Sequence, residues 1–481
     1  MAYVNKTSLR DEFAHLKSEF ERLSAAGKVS AESRVLFNAL LMLLEVVMAV
    51  FLEKMTPKTS KNSSKPSSQM EKPDTSAVAG THTRGLAAEE RRFVNSRTIE
   101  TVETASVETC ACCGEDLRKV RSTTRERRTR IDLVFEKVVT HVDAEIKTCP
   151  HCASTTKGEF PGDLVGPVQY GLGIKAYALN LLVSQMVSLR RVQHLLKALI
   201  GEALAEATLL KYVWALHEAL GRWESMSIAR LLRAPALHVD ETSVRVERHN
   251  HWVHVYSAGD ITLKFVHPKR GTEAIEAIGI IPRYGGVTIH DCWASYLTYE
   301  HCGHALCGAH LLRELTFIHE ANGYAWAANL KRLLRETCAV VSERESRCLN
   351  EAEYANLQER YRNILTRGSK ELPPIPERVS GKRGRIAKSD AHNLWERLQQ
   401  HEAAVLLFAR RAEVAFTNNR AERDLRMGKV KQKVSGCFRQ ERFAEAYCRI
   451  SSYLQTMAYQ GVNPLLAIQL ALSGELYARE G

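Results

Sequence analysis

Apolar positions change period along the chain, and those changes divide it into regions. Leu9, Phe13, Leu16, Phe20 and Leu23 keep a heptad spacing, as do Leu36, Leu40, Leu43, Val47 and Val50. This predicts two coiled-coil-like helices joined near residues 25–27, which either self-associate or fold as a hairpin. Ser8 with Asp11 caps the first and Ser30 the second. Residues 35–52 are apolar enough to raise a membrane span, but Glu45 falls mid-span, where a carboxylate is costly. Residues 1–55 are therefore read as a helical self-association segment, with no membrane partner. From Thr56 the composition collapses to Ser, Thr, Lys and Pro. Too little apolar surface remains to offset ordering entropy, so 56–98 is expected to be a flexible linker.

Beyond it, residues 99–160 carry paired cysteines, and 161–235 have a helical period with a possible helix-turn-helix at 187–220, turning at Gly201. At Ala236 the period switches to two. The run Ala236-Leu-His-Val-Asp240 ends in an acid. His251 to Ser257 and Ile261 to His267 alternate around Ala258-Gly259-Asp260, a hairpin signal. A helix from Thr272 to Ile278 and a second apolar run, Gly286 to Asp291, again ending in an acid, follow. A third strand is expected near His304 to Cys307, ahead of a helix. The order matches a ribonuclease-H-like α/β core, whose central strands carry two acids and whose late helix brings a third. Asp291 and Glu422 lie farther apart than one crossover needs, which implies a helical insertion. The expected fold is thus multidomain α/β, with the core split into 236–319 and 411–481 around an insertion at 320–410.

Composition sharpens this picture in two ways. The 481 residues carry a net charge of +12, which fits an anionic partner where the cations cluster. The 12 cysteines come without a signal peptide at the N-terminus, a pattern that fits a reducing cytoplasm and one metal site better than disulfides. Cys110, Cys113, Cys149 and Cys152 form two Cys-x-x-Cys pairs. Two such knuckles supply the four thiolates of one structural Zn²⁺, and the alternating segment 131–146 is expected to form a hairpin between them. Arg118, Lys119, Arg121, Arg125, Arg127, Arg128 and Arg130 follow the first pair and are candidate DNA contacts.

The catalytic candidates are Asp240, Asp291 and Glu422. Three carboxylates on two strands and a basic helix can hold two Mg²⁺ (or Mn²⁺) ions for phosphodiester chemistry. Glu241 should face away from Asp240 across the strand, and Asp424 should face another side of the helix from Glu422. Arg423, Arg426, Lys429, Lys431 and Lys433 are candidate phosphate ligands on that helix; a solvated face is the plainer alternative. Cys307 and His310, with His301, Cys302 and His304 nearby, are read as shaping the site rather than binding zinc. Trp293 is either a core residue or a platform for an unstacked base. His238 and His290 flank the acids and are either packed or tuning groups.

Several ordered blocks carry a resemblance. They are Lys61 to Ser68, the paired cysteines, His238-Val-Asp-Glu-Thr242, Trp252-Val-His254, Lys269-Arg-Gly271, His290 to Tyr296, Cys307 to Leu315 and Asn418 to Gly436. Over almost its whole length the chain resembles the IS66 family of bacterial insertion-sequence transposases. The resemblance implies a DDE transposase with Asp240, Asp291 and Glu422 as its triad. It also implies double-stranded DNA as partner, as element ends and target, a homo-oligomer that pairs two ends, and accessory proteins of the same element. The chain departs from the pattern at Ala205, where a capping Ser is expected, and at Cys112, where Pro is usual. Two other classes stay open: a silent end-binding regulator, and a metal nuclease of the same fold that cuts without joining.

Overall fold

The computed structural model describes residues 18–26, 29–30, 37, 100–375 and 388–475. The chain falls into two compact units, Met1–Gln69 and Met70–Gly481. In the first, residues 18–25 are helical, and Phe20 stacks on Phe37 with ring centroids 5.0 Å apart. That contact joins the two heptad-patterned segments. The rest of 1–55 and all of the linker 56–98 lie outside the described residues.

In the second unit, β1 (Ile146–Thr148) and β2 (Thr155–Lys157) pair antiparallel around the second cysteine knuckle. The hairpin expected between the knuckles is corrected by the structure. Residues 124–145 form neither strand nor helix, and Ile131, Val134 and Val138 are at least 80% exposed. Alternation alone marks an apolar face; without a second layer to cover it, strand pairing gains no burial.

The main sheet comprises β3 (Ala236–Val246), β4 (His249–Ala258), β5 (Ile261–His267), β6 (Val287–His290) and β7 (Gly303–Leu306), in the order β5-β4-β3-β6-β7. The first three strands form an antiparallel meander, while β6 runs parallel to β3 and β7 parallel to β6. Two-residue turns close both hairpins. Glu247 and Arg248 take φ of 49° and 69°, and Gly259 takes 55° beside Asp260. Positive φ at both central positions suits the twist of paired strands, at a steric cost for non-glycine residues. The sequence ended the first strand at Asp240; the structure carries it on to Val246. Pairing with β4 spans His238 to Val246, whereas pairing with β6 stops at His238. Asp240 therefore lies where the parallel half of the sheet ends, in mid-strand.

Both faces of this mixed sheet are covered, as a parallel segment requires. Val287, Ile289 and Leu306 pack with Leu330, Leu334, Leu357 and Leu406 from the helices Ala325–Glu343, Glu351–Gly368 and Glu402–Arg410. The predicted insertion is thus one layer of the core. Leu237, Val239, Val255 and Leu263 pack with Leu179 and Leu216 from upstream and Tyr453 and Ile468 from the C-terminal helices. The helices Leu189–Ile200 and Glu206–Ala219 meet at left-handed Gly201, and Ala205 gives the second no side-chain cap. Among the described residues, no helix is long and apolar enough to cross a membrane.

Candidate active site

The helix Asn419–Ser435 lies along β3 and is tied to it at three points. At its start, Asn418 Nδ2 donates to the Val239 carbonyl at 2.7 Å, and Asn418 Oδ1 lies 3.0 Å from His238 Nδ1. Midway, Lys429 Nζ donates to the Ser243 carbonyl at 2.8 Å. Past its end, Phe438 N–H donates to the Arg245 carbonyl at 2.9 Å, and Glu247 N–H to the Phe438 carbonyl at 2.8 Å. The deepest anchor is Asp424, which is fully buried. It accepts from Ser257 (2.7 Å), Thr262 (2.6 Å), Gln455 (2.6 Å) and Tyr459 (2.5 Å). A buried carboxylate is tolerable only with such a set of donors. Asp424 thus fixes the helix on the sheet, with Glu422, two residues earlier, near enough for its charge to act on Asp240.

Asp240 senses the charges of the other two acids. Burial raises the Asp240 carboxyl most, and the charges of Glu241, Asp291 and Glu422 add to it; against one opposing hydrogen bond from the Glu241 N–H, the pKa reaches about 8. Asp291 follows β6 directly. Its Oδ1 accepts the Trp293 N–H at 3.0 Å, across a Cys292 held at φ 71°. A left-handed non-glycine residue beside a functional carboxylate stores strain that aims the side chain. Glu422 Oε1 lies 3.6 Å from His310 Nδ1 and 3.8 Å from Arg313. It is buried and has no hydrogen-bond partner. Among the described residues, Asp240 and Asp291 do not join Glu422 in a group at metal-ligand spacing. Burial, with the charge of Arg313, lowers the His310 pKa more than the neighbouring acids raise it.

Cys307, His310 and Glu422 form the group of three ligand-type side chains that the structure gathers among the described residues, with ligand atoms within 4.8 Å of one another. Gly308 makes their meeting possible. Its N–H donates to the Phe416 carbonyl at 2.7 Å, and a Cβ there would sit 2.3 Å from the Phe416 ring. The Asn418 N–H donates to Cys307 Sγ at 3.1 Å.

On the other side of β3, Glu241 accepts from Arg270 at 2.8 Å and from Tyr296 at 2.5 Å. The Arg270 guanidinium lies over the rings of Trp252 (4.9 Å) and Trp293 (4.3 Å). Trp293 is thus partly buried in this cluster, one turn from Asp291.

Residues 167–446 match the family model described as Transposase IS66 family. The chain belongs to that family. No curated protein matches it. Membership gives this IS66-family protein a transposase role, an enzymatic action on DNA, and it fits the general use of divalent metal by such enzymes.

Other predicted site residues are placed differently. In this IS66-family chain the knuckles have the same backbone turn. Cys110 N–H donates to Glu115 and Gly114 N–H to Cys110; Cys149 N–H donates to Ser154 and Ala153 N–H to Cys149. Gly114 and Ala153 take matching φ of 77° and 57°. All four cysteines are free thiols; neighbouring hydrogen-bonding groups lower the Cys110 thiol, from Cys113 and Cys112, and the Cys152 thiol, from Ser154 and Cys149. The four sulfurs are brought together as two pairs, and no three of them are gathered at metal-ligand spacing. The turns are local, whereas convergence of the pairs depends on the irregular 124–145 segment. Arg118 pairs with Asp116 and Arg128 with Glu126, while Lys119, Arg121, Arg125, Arg127 and Arg130 are exposed.

On the late helix, Arg423, Arg426 and Lys433 are exposed. Lys429 and Lys431 lie beside β3. Lys429 bonds to Ser243, and burial lowers the pKa of both. Lys429 is exposed at the edge of the contact with β3, and Lys431 is half-buried. His301 and His304 bond to the carbonyls of Ile281 and Tyr299, which makes both packing groups. The sequence missed Asn418 and Arg270, whose roles depend on partners far away in the chain.

Proposed function

We propose that this protein is a DDE transposase of a bacterial insertion sequence, with Asp240, Asp291 and Glu422 holding two Mg²⁺ or Mn²⁺ ions. The observation that carries the reading is the Glu422 oxygen, buried and without a hydrogen bond on a helix locked to β3, together with Asp240, whose carboxyl is raised by burial and by the charges of Glu241, Asp291 and Glu422. The strand order β5-β4-β3-β6-β7, antiparallel then parallel, supports a ribonuclease-H-like core. Bound there, the cations would activate water or a DNA 3′-hydroxyl for in-line attack and stabilise the leaving oxygen. The protein's own part is positional. Asp424 sets the rotation of the late helix, Asn418 ties its start to β3, and the Cys292 turn aims Asp291. Exposed Arg423, Arg426 and Lys433 supply charge for the backbone of the DNA.

The matching knuckle turns support one structural Zn²⁺ on Cys110, Cys113, Cys149 and Cys152, with residues 99–160 as a DNA-contacting module. The stacked Phe20 and Phe37 support a helical hairpin within 1–55 that pairs protomers at the two element ends. The test is cleavage and joining on a plasmid carrying the element's own ends. Wild type with Mg²⁺ is expected to nick the ends and join them to target DNA, and Glu422→Gln or EDTA to abolish both. Nicking without joining would favour a nuclease, and end binding without cleavage would favour a regulator.

A further inference from the structure

The triad leaves one side chain of the site without a role. His310 lies in the first turn of the helix Gly308–Asn322, and its Nδ1 faces Glu422 Oε1 at 3.6 Å. That is too long for a hydrogen bond. Both atoms are buried, and neither has a hydrogen-bond partner. Two polar atoms that meet without bonding lack something between them. Ligands each about 2.1 Å from one divalent ion stand roughly 3–3.6 Å apart, so this separation fits a shared cation.

The neighbours fit the same arrangement. Cys307 Sγ is the third atom of the group, but it already accepts the Asn418 N–H at 3.1 Å. Its task is to hold the start of the Glu422 helix against the start of the His310 helix. Arg313 stands 3.8 Å from the same Glu422 oxygen, with its side chain 46% exposed. Its guanidinium gives that carboxylate a long ion pair and no hydrogen bond.

We propose that His310 is a further ligand of the divalent cation held by Glu422, donating Nδ1 and keeping its proton on Nε2. The inference rests on the reading of Asp240, Asp291 and Glu422 as a metal site and adds a nitrogen to it. One imidazole among carboxylates raises affinity for transition-metal cations relative to Mg²⁺, which prefers oxygen alone. The two cation positions then differ: an all-oxygen one between the aspartates, and a mixed one at Glu422.

Pulsed EPR of the full-length protein loaded with Mn²⁺ tests this directly. Wild type is expected to show the coupling of an imidazole ¹⁴N to the bound Mn²⁺. His310→Ala and His310→Gln are expected to lose it and to bind Mn²⁺ about ten-fold or more weakly, with an unchanged circular dichroism spectrum. Mn²⁺ affinity is expected to change more than Mg²⁺ affinity. A ¹⁴N coupling and a Mn²⁺ affinity that survive in His310→Gln overturn the proposal. Should Glu422→Gln and Asp240→Asn lose Mn²⁺ while both His310 variants keep it, His310 is no ligand and the carboxylate site stands. Should Mn²⁺ binding be indifferent to all four substitutions, the metal reading of the acids falls as well.

Discussion

Two regions of this molecule carry the residues proposed to bind metals, and they differ in what holds them. Asp240, Asp291 and Glu422 come from distant parts of the sequence, and a buried sheet, the Asp424 network and the Gly308–Phe416 contact fix their elements, although the side chains gathered closely around Glu422 are Cys307 and His310. The four cysteines are closer in sequence, yet only local turns organise them, and they meet in pairs. A core can converge distant groups because each is fixed by burial. Two knuckles joined by an exposed irregular segment have no such fixture, so there the metal itself would supply the convergence.

The contrast predicts which damage is chemical and which is structural. The largest effect is expected from Asp291→Asn, which should reduce strand cleavage by at least about 10³-fold while thermal stability barely changes. Retained cleavage would remove Asp291 from the site. Next comes Asp424→Ala, which strands four donors and is expected to cost about 3–5 kcal/mol in denaturant unfolding. A loss under 1 kcal/mol would show that the late helix is fixed by something else.

Removing Zn²⁺ with a chelator should act on the other region alone. Proteolysis within 100–165 is expected to speed up several-fold, while the unfolding midpoint of the core stays within a few degrees. A core that melted with the chelator would erase the distinction between the two regions. The smallest effect concerns acid. Burial lowers His254 to about 4, against the pull of the Lys269 carbonyl. The unfolded chain takes up that proton near pH 6.5 and the folded chain does not, so stability is full above about 6.5 and falls as pH drops toward 4. The loss is about 3 kcal/mol at most. His254→Gln should flatten that slope by up to one proton, as pH-dependent urea titrations would reveal.

How much of this was legible in the sequence follows the same division. Period-two runs marked the strands, and the acids at their ends marked Asp240 and Asp291, because burial writes alternation into a strand directly. The family blocks covered the site residues. The extension of β3 past Asp240 was hidden because Glu247 and Arg248 make a positive-φ turn without glycine or asparagine. The segment around Ile131 alternates like a strand but has nothing to pack on. Asp424 was read as facing away from the site, but its role as an anchor needs Ser257, Thr262, Gln455 and Tyr459, none of them near it in sequence. The contact of Lys429 with Ser243 likewise joins residues far apart in the chain.

The central claim is that the three acids hold a pair of cations. Anomalous diffraction from crystals of the full-length protein soaked in Mn²⁺ tests it most directly. Two peaks about 3.5–4 Å apart are expected between Asp240, Asp291 and Glu422. Mn²⁺ bound elsewhere on the protein, with no peak among these carboxylates, would contradict the account.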